Sequence, residues 1–214
     1  MKKYGIITAM QEEMQEIKKI MTNIKEKQIY ELQFIKGNIN NKEVVLVEAG
    51  VGILIDNFDI EAIINVGVAG AANDELNMGD IVIGQIIVQH DFDITAFGHP
   101  KGFISNVGQY VESDSKLLKK MESTIQEFAN KDFKIKVGII ASGDIFCTET
   151  KMKEKIRSKF FADAIEMEGA AIAQVCKLDN IPFIIIRSIS DNPNGNNLIA
   201  YKEYLEMATK RCAQ

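Results

Sequence analysis

The sequence predicts a single α/β domain in three layers, with a central mixed β-sheet flanked by helices. Its 214 residues are 46% hydrophobic and 26% charged, as is typical of one globular domain, with two small domains as the alternative. Residues 182–191 contain an unbroken isoleucine run, which indicates a strand buried on both faces, as in a parallel sheet. The Asn-rich residues 38–42 separate two β-rich runs, which indicates an antiparallel hairpin in the same sheet.

The charge and cysteine content exclude several classes of protein. A net charge of −5 argues against a surface for nucleic acid or anionic membrane, and no apolar run approaches the roughly 20 residues that span a bilayer. Gln11, Glu12 and Glu13 interrupt the N-terminal apolar run, so it is predicted to be a core strand rather than a signal peptide. Three widely spaced cysteines form neither a disulfide framework nor a zinc pattern. We therefore expect a cytoplasmic protein with no metal and no cofactor.

The first half of the chain alternates strand and helix patterns. Residues 4–8 are predicted to be a strand, and the helix after it has apolar residues at helical spacing, with Glu12 and Glu13 in its first turn. Residues 29–36 and 43–48 form the hairpin, and 62–66 form the next strand. Glycine-rich stretches follow two of these strands, at 49–52 and 67–70. Their backbone N–H groups could approach a ligand closely, although a plain tight turn is equally compatible.

The connection after Gly52 is unusually short. Only residues 53–61 separate it from the next strand, whereas a parallel crossover usually needs a dozen residues or more. Either the two strands are not parallel neighbours, or a stretch of chain is absent from the sequence.

The second half continues the alternation. Strands are predicted at 80–88, 136–141 and 182–191, and residues 101–111 are predicted to be a surface loop. Four helices are predicted. Two of them have apolar residues on one face, which are Leu117, Leu118, Met121, Ile125 and Phe128 in the first, and Tyr201, Tyr204, Leu205 and Ala208 in the last. The other two are predicted from apolar or small residues at 156–161 and 170–176. The lysine-rich stretches 116–120 and 151–159 are predicted to be solvated faces. His90 and His99 lack metal-ligand spacing and are expected on the surface or behind a site.

Polar residues follow strand after strand, and their convergence on one rim would form a substrate pocket. Polar strand exits are also routine in α/β proteins, so topology alone leaves the two interpretations even. Glu168 favours the pocket, because a carboxylate between an apolar run and a small-residue helix is costly unless it is hydrogen-bonded or used. Asp191 also favours it, because it ends a core strand, and ligands bind at the carboxyl ends of strands in open α/β sheets.

These residues belong to motifs that identify a resemblance. The chain resembles the 5′-methylthioadenosine/S-adenosylhomocysteine nucleosidases of the purine nucleoside phosphorylase superfamily. Eight motifs occur in family order over nearly the whole chain: GIITAMQEEM, GVG, NVGVAGA, GDIV, HDFDITAFG, SGDIF, AIEMEGAAIAQVC and IPFIIIRSISD. Each is weak alone, but the ordered set is highly specific. It implies a nucleoside phosphorylase-like fold, one nucleosidase domain over residues 1–214, and hydrolysis of the adenine N-glycosidic bond to give adenine and a 5-thioribose product.

The resemblance also implies roles for individual residues. Asp191 would be the acid that protonates purine N7, oriented by Ser190, and Glu13 would be the base that activates water. Glu168 would accept hydrogen bonds from the ribose hydroxyls. The other implied substrate-binding residues are Met167 on the sugar, Phe146 stacked on adenine, Cys147 acting by its backbone, Ala69, Gly70 and Glu166 in the pocket, and Tyr201 closing over it. Ile94 and Phe97 would cover the alkylthio group of a neighbouring subunit's pocket, which implies a homodimer.

Two departures from the family pattern and several alternatives accompany this prediction. Val68 stands where many relatives carry Ser, which removes a hydroxyl near the ribose or water. Relatives carry a longer helix after Gly52, so we hypothesise that several residues are absent there, and the end at Gln214 resembles a clipped helix. A nucleoside phosphorylase is the nearest rival, and a nucleoside-binding protein without activity is another. Only three arginines are present, none before Arg157, which disfavours phosphate capture. The choice among methylthioadenosine, S-adenosylhomocysteine, 5′-deoxyadenosine and futalosine-type substrates stays open.

Overall fold

The computed structural model describes residues 3–128 and 133–191. Within them the chain forms a ten-stranded mixed sheet and five α-helices. The elements in order are β1 Lys3–Thr8, α1 Gln11–Lys19, β2 Thr22–Ile29, β3 Leu32–Ile39, β4 Lys42–Glu48, α2 Val51–Asn57, β5 Ile60–Ala71, β6 Ile81–Gln89, a 3₁₀ turn at Thr95–Phe97, β7 Val111–Glu112, α3 Ser115–Phe128, β8 Ile135–Ser142, α4 Thr150–Phe160, β9 Ala164–Glu166, α5 Gly169–Leu178 and β10 Phe183–Asp191.

Strand β5 is the centre of the sheet. On one side it pairs in parallel with β1, which pairs in parallel with β4, and β3 and β2 follow antiparallel. On the other side it pairs in parallel with β10. Strands β6, β8 and β9 continue from β10, and β9 returns to the last two residues of β5. The mixed α/β architecture predicted from the sequence is confirmed.

The isoleucine run in β10 is buried on both faces of the sheet, as predicted. Ile185 packs in the cluster that contains residues of α2 and α5, such as Leu54 and Ala173. Ile184 and Ile186 face the opposite way and pack with apolar residues of α3. All nine residues of β10 are buried. Because successive side chains of a strand alternate between faces, helices must cover both sides to bury such a run.

The hairpin predicted at 29–36 and 43–48 differs in its first part. A turn at Tyr30 and Glu31 divides that stretch, and the residues before it form β2, which the sequence did not predict. Seven of the eight residues of β2 are exposed, so it lacks the alternation of a half-buried strand. Strand β2 lies at the edge of the sheet, where lysines such as Lys25 and Lys27 oppose pairing with another chain.

The glycine-rich residues 67–70 were predicted to follow a strand as a loop, but they are part of β5. Gly67 pairs with Arg187 and Val68 with Ser188, so β10 holds this stretch in the ladder. The stretch at 49–52 does end a strand, and Gly50 begins α2 with a left-handed φ of 78°.

The short connection after Gly52 has a topological explanation. Strands β4 and β5 are not neighbours, because β1 lies between them. The two strands are therefore not parallel neighbours, which was the first of the two alternatives. Helix α2 runs through Gly52 and Ile53, and Leu54 N donates to Gly50 O at 3.0 Å. Seven helical residues form the connection between β4 and β5, and the hypothesis that residues are absent after Gly52 stays a prediction.

Candidate functional site

A cavity opens where β1, β5, β9 and β10 end. It collects ten of the residues predicted for the site, which are Glu13, Ala69, Gly70, Phe146, Cys147, Glu166, Met167, Glu168, Ser190 and Asp191. Two others, Ile94 and Phe97, do not line it. Ile94 and Phe97 lie at the 3₁₀ turn, with Phe97 81% exposed, and Tyr201 lies outside the described residues.

Glu13 lies in the first turn of α1, and its carboxylate is held by three backbone donors. Ala9 N and Met10 N donate to Oε2 at 2.8 and 3.1 Å, and Val68 N donates to Oε1 at 3.0 Å. The side chain is buried, whereas Glu12 is exposed. Burial raises the pKa of Glu13, and the charge of Arg187 and the three hydrogen bonds oppose that shift. A buried carboxylate with a raised pKa is suited to accept a proton near neutral pH.

Asp191, the last residue of β10, also lines the cavity and is paired with a lysine. Lys153 Nζ of α4 lies 2.8 Å from Asp191 Oδ2, and both side chains are buried. Burial raises the pKa of Asp191, and the hydrogen bond and charge of Lys153 oppose that shift. The predicted solvated face at 151–159 is therefore wrong at Lys153. It shares a helix face with the buried Ile156 and Phe160, at spacings of three and seven residues.

Ser190 was predicted to orient Asp191, but the hydrogen bond of its hydroxyl group goes to another residue. Ser190 Oγ donates instead to Ala69 O on β5, at 3.3 Å. The β5–β10 register shifts between Ile189 and Asp191, so Ser190 lies in an irregular step of the ladder. Such bulges re-aim side chains, and here both Ser190 and Asp191 line the cavity.

Glu166 is the anchor of a buried network. Its carboxylate pairs with Arg187 Nη2 at 2.5 Å and accepts hydrogen bonds from Ser142 Oγ and, at 2.8 Å, from Gly169 N. Arg187 also donates to Asn65 Oδ1. Burial lowers the pKa of Arg187, but Glu166, Glu168 and Glu13 together raise it, so the guanidinium stays charged. Glu166 lines the cavity with its oxygens occupied, which fits a structural role more closely than contact with a ligand.

Glu168 is the more available carboxylate of this pair. Its side chain is 42% exposed, and its Oε2 lies 4.0 Å from Arg187 Nη2. Burial and the neighbouring Glu166 raise the pKa of Glu168, while Arg187 opposes that shift. Met167 beside it is 39% exposed.

The remaining wall is apolar. Phe146 is 46% exposed and offers a ring to a flat ligand, and Cys147 is buried next to it. Burial raises the pKa of the Cys147 thiol, which keeps it neutral and unreactive. His90 is buried against Gly143 rather than on the surface.

Two charged residues of the site escaped sequence reasoning. Arg187 lies inside the strand predicted at 182–191, where a charge within an apolar, doubly buried strand is itself a signal of a buried network. Lys153 was assigned to solvent, although its spacing to Ile156 and Phe160 places it on the apolar face. Across residues 3–128 and 133–191, no group of three His, Cys, Asp or Glu is arranged to hold a metal ion. No helix in this part of the chain is long and apolar enough to cross a membrane.

Comparison with known proteins gives a consistent result. The phosphorylase superfamily matches residues 3–214. The 5′-methylthioadenosine/S-adenosylhomocysteine nucleosidase of Staphylococcus haemolyticus is 38% identical, with 96% of this chain and 93% of the relative covered. The solved nucleosidase of Neisseria meningitidis, in complex with methylthio-immucillin-A, superposes with a TM-score of 0.94 at 31% identity over 100% of this chain and 96% of that one. The futalosine hydrolase of Helicobacter pylori superposes with a TM-score of 0.92 at 32% identity, over 99% and 94%.

Proposed function

We propose that this chain, which belongs to the phosphorylase superfamily and within it to the 5′-methylthioadenosine/S-adenosylhomocysteine nucleosidases, hydrolyses the adenine N-glycosidic bond of both nucleosides. The observation that carries the proposal is the arrangement of three carboxylates, Glu13, Glu168 and Asp191, on one cavity. The products are adenine and a 5-thio-substituted ribose.

Asp191 is the acid. Adenine is a poor leaving group until N7 is protonated, so the reaction needs a carboxylic acid beside the purine. The raised pKa of Asp191, caused by its burial, favours the protonated form that donates. Phe146 stacks on the purine ring, and Cys147 reads its edge through the backbone. Asp191, Phe146 and Cys147 line the same cavity, which supports this placement.

Glu13 is the base. As the bond breaks, the ribosyl centre becomes cation-like, and water attacks it from the face opposite the purine. Glu13 and Asp191 come from opposite ends of the chain and reach the cavity from α1 and β10. Glu168 accepts hydrogen bonds from the ribose hydroxyls, since its carboxylate is partly exposed and not fully paired. Ala69, Gly70 and Met167 shape the sugar site.

Hydrolysis is favoured over phosphorolysis because the described part of the cavity offers no cation for phosphate. Among residues 3–128 and 133–191, none of those that line it is Arg or Lys. Within the described residues, Arg157 pairs with Asp74 and Arg187 with Glu166. A phosphate site typically uses guanidinium groups that can form a bidentate contact.

We also propose that the enzyme is a homodimer. Phe97 is 81% exposed at the tip of the 3₁₀ turn, away from its own cavity, so it is available to cover a second subunit's pocket, together with Ile94. A Phe97→Ala variant tests this. We expect a higher KM for methylthioadenosine, and a monomeric wild type in sedimentation would contradict the proposal.

The experiment for the reaction itself is adenine release in H₂¹⁸O, with and without phosphate. We expect release without phosphate and ¹⁸O in the ribose product. Release only with phosphate would identify a phosphorylase, and no release would favour a binding protein. Methylthioadenosine, S-adenosylhomocysteine, 5′-deoxyadenosine and futalosine are compared, because the likeness to a futalosine hydrolase keeps that substrate open.

A further inference from the structure

Lys153 is a buried cation that pairs with Asp191, the proposed acid. Its side chain is 1% exposed, and Nζ lies 2.8 Å from Asp191 Oδ2. The other lysines of α4, Lys151, Lys155 and Lys159, are exposed. An ammonium group is costly to bury unless a counter-charge and hydrogen bonds receive it. Helix α4 therefore directs this one lysine to Asp191.

The pairing makes the two carboxyl oxygens of Asp191 unequal. Oδ2 receives the ammonium, whereas Oδ1 has no hydrogen-bond partner within the described residues, although it is buried. Gly70 leaves room for this arrangement. A Cβ atom at Gly70 would lie 2.8 Å from Asp191 Oδ1 and 3.3 Å from Lys153 Nζ. Asp191 lines the cavity and Lys153 does not, so the lysine can act on a ligand only through the aspartate.

The proposed chemistry gives this inequality a use. In the reacting complex, Oδ1 carries the proton that passes to purine N7, and the electron pair of the breaking C–N bond moves onto the purine. Asp191 is left as a carboxylate, with Oδ2 2.8 Å from the Lys153 ammonium. Charge attraction at that distance is strong in a site shielded from water, so the lysine stabilises the charge that develops as the proton leaves.

We propose that Lys153 is a positioning residue for proton donation by Asp191: it holds Oδ2, reserves Oδ1 for the purine, and stabilises the carboxylate formed in the reaction. This inference rests on the proposed function, because it assigns Lys153 a part in the same proton transfer.

The surroundings of Asp191 identify Lys153 as the group that sets its charge. Helix α4 contributes Lys153, the segment after β8 contributes the neutral Cys147 thiol, and β5 contributes the backbone N–H of Ala71, which lowers the pKa of Asp191 less than Lys153 does. The carboxylates Glu13, Glu166 and Glu168 share the cavity, but Arg187 faces them. Within the described residues, removing the ammonium therefore leaves no cation to oppose the effect of burial, and we expect the pKa of Asp191 to rise.

The test is the pH profile of adenine release from methylthioadenosine by Lys153→Met. Because the acid works protonated, kcat/KM falls as pH rises through the pKa of Asp191. We expect Lys153→Met to move that fall upward by about one pH unit or more, since an adjacent opposite charge shifts a carboxyl pKa by about 1–3 units. We also expect the plateau of kcat to drop about ten-fold or more, because the conjugate base loses its counter-ion. Lys153→Arg restores the position of the fall.

The matched control is Lys155→Met, which removes the same charge from an exposed position of the same helix. We expect its profile to match the wild type. A Lys153→Met enzyme that folds and keeps the wild-type profile would overturn the inference. If wild type releases adenine and Asp191→Asn does not, an unchanged profile of Lys153→Met contradicts only the role of Lys153. Absence of adenine release by wild type would instead contradict the proposed function.

A measurement on the wild type covers the case in which Lys153→Met does not fold. Adenine binding is followed by calorimetry in buffers of different ionisation enthalpy, across the pH range of activity. We expect proton uptake at pH values above the pKa of Asp191, because there the empty enzyme holds Asp191 as a carboxylate beside Lys153, and contact with purine N7 requires the protonated acid. Binding without proton uptake at any pH would overturn the inference.

Discussion

Arg187 carries a full charge inside a strand that is buried on both faces, and its surroundings explain how. Glu166 pairs with it directly, Asn65 accepts from it, and Glu168 lies 4.0 Å away. The same arginine lowers the pKa values of Glu13 and Glu168, whose burial would otherwise raise them further. One guanidinium thus allows three carboxylates to share a small, poorly solvated cavity.

Replacing Arg187 with Met tests this role by stability. The change leaves Glu166 buried without its counter-ion, so we expect a loss of about 3–5 kcal/mol in the free energy of unfolding, measured with urea. Arg157→Met is the control, because its pair with Asp74 is on the surface and such pairs contribute about 0–1 kcal/mol. Equal losses in the two variants would contradict the account.

The elements of the fold place these residues, and β5 does so through its backbone. Gly67 lies in β5 opposite Glu13, and a Cβ atom there would be 3.0 Å from Glu13 Oε1. The adjacent Val68 N donates to the same oxygen. Because three backbone donors already fix the carboxylate, it cannot retreat without losing them.

Gly67→Ala should therefore impair catalysis more than folding. We expect kcat for adenine release to fall about ten-fold or more, because small displacements of a catalytic group are costly. Gly52→Ala is the matched control, since a Cβ atom at Gly52 meets nothing within 4 Å and Ala favours helix α2 by up to about 1 kcal/mol. A Gly67→Ala enzyme with wild-type kcat would show that Glu13 tolerates displacement.

At this scale the sequence predicted most of the architecture but not all of it. Burial on both faces made β10 and its isoleucines predictable, and 3.6-residue periodicity did the same for α1 and α3. Strand β2 was missed because an exposed edge strand has no apolar face to repeat. The glycine-rich part of β5 was predicted to be a loop because glycine is rare inside strands. Only its pairing with β10 shows that it belongs to the strand.

At the scale of the whole molecule, the buried carboxylates of the cavity lower the stability of the fold. Burial raises the pKa values of Glu13, Glu168 and Asp191. A carboxyl group with a raised folded-state pKa destabilises the fold as pH rises from its unfolded pKa, which is about 4, through its folded pKa. Above both values the full cost is present, and below both it vanishes.

Glu168→Gln tests that trade. We expect the variant to unfold at a higher temperature than wild type at neutral pH, by a few degrees, and to lose this advantage as pH falls towards about 4. Its activity should drop, because the ribose hydroxyls lose a charged acceptor. A variant less stable than wild type at neutral pH would mean that the Glu168 carboxylate contributes to the fold through Arg187.

The site was predictable only as far as its motifs reached. Ten of the twelve predicted residues that the structure describes line one cavity, because the strand ends and helix starts that carry them meet there. The spacing of Lys153 to Ile156 and Phe160 indicates a buried position, but its partner was not predictable, since only the packing of α4 on the sheet brings it to Asp191. A charge pair between residues 38 positions apart depends on the fold rather than on any local pattern.

The central claim is that Asp191 protonates the purine of a nucleoside that water then cleaves. The most direct test is adenine release from methylthioadenosine, without phosphate, by wild type and by Asp191→Asn. We predict steady release by wild type and a loss of about 10²-fold or more in kcat for the variant, as removal of a general acid gives. Release by Asp191→Asn at the wild-type rate would contradict the account.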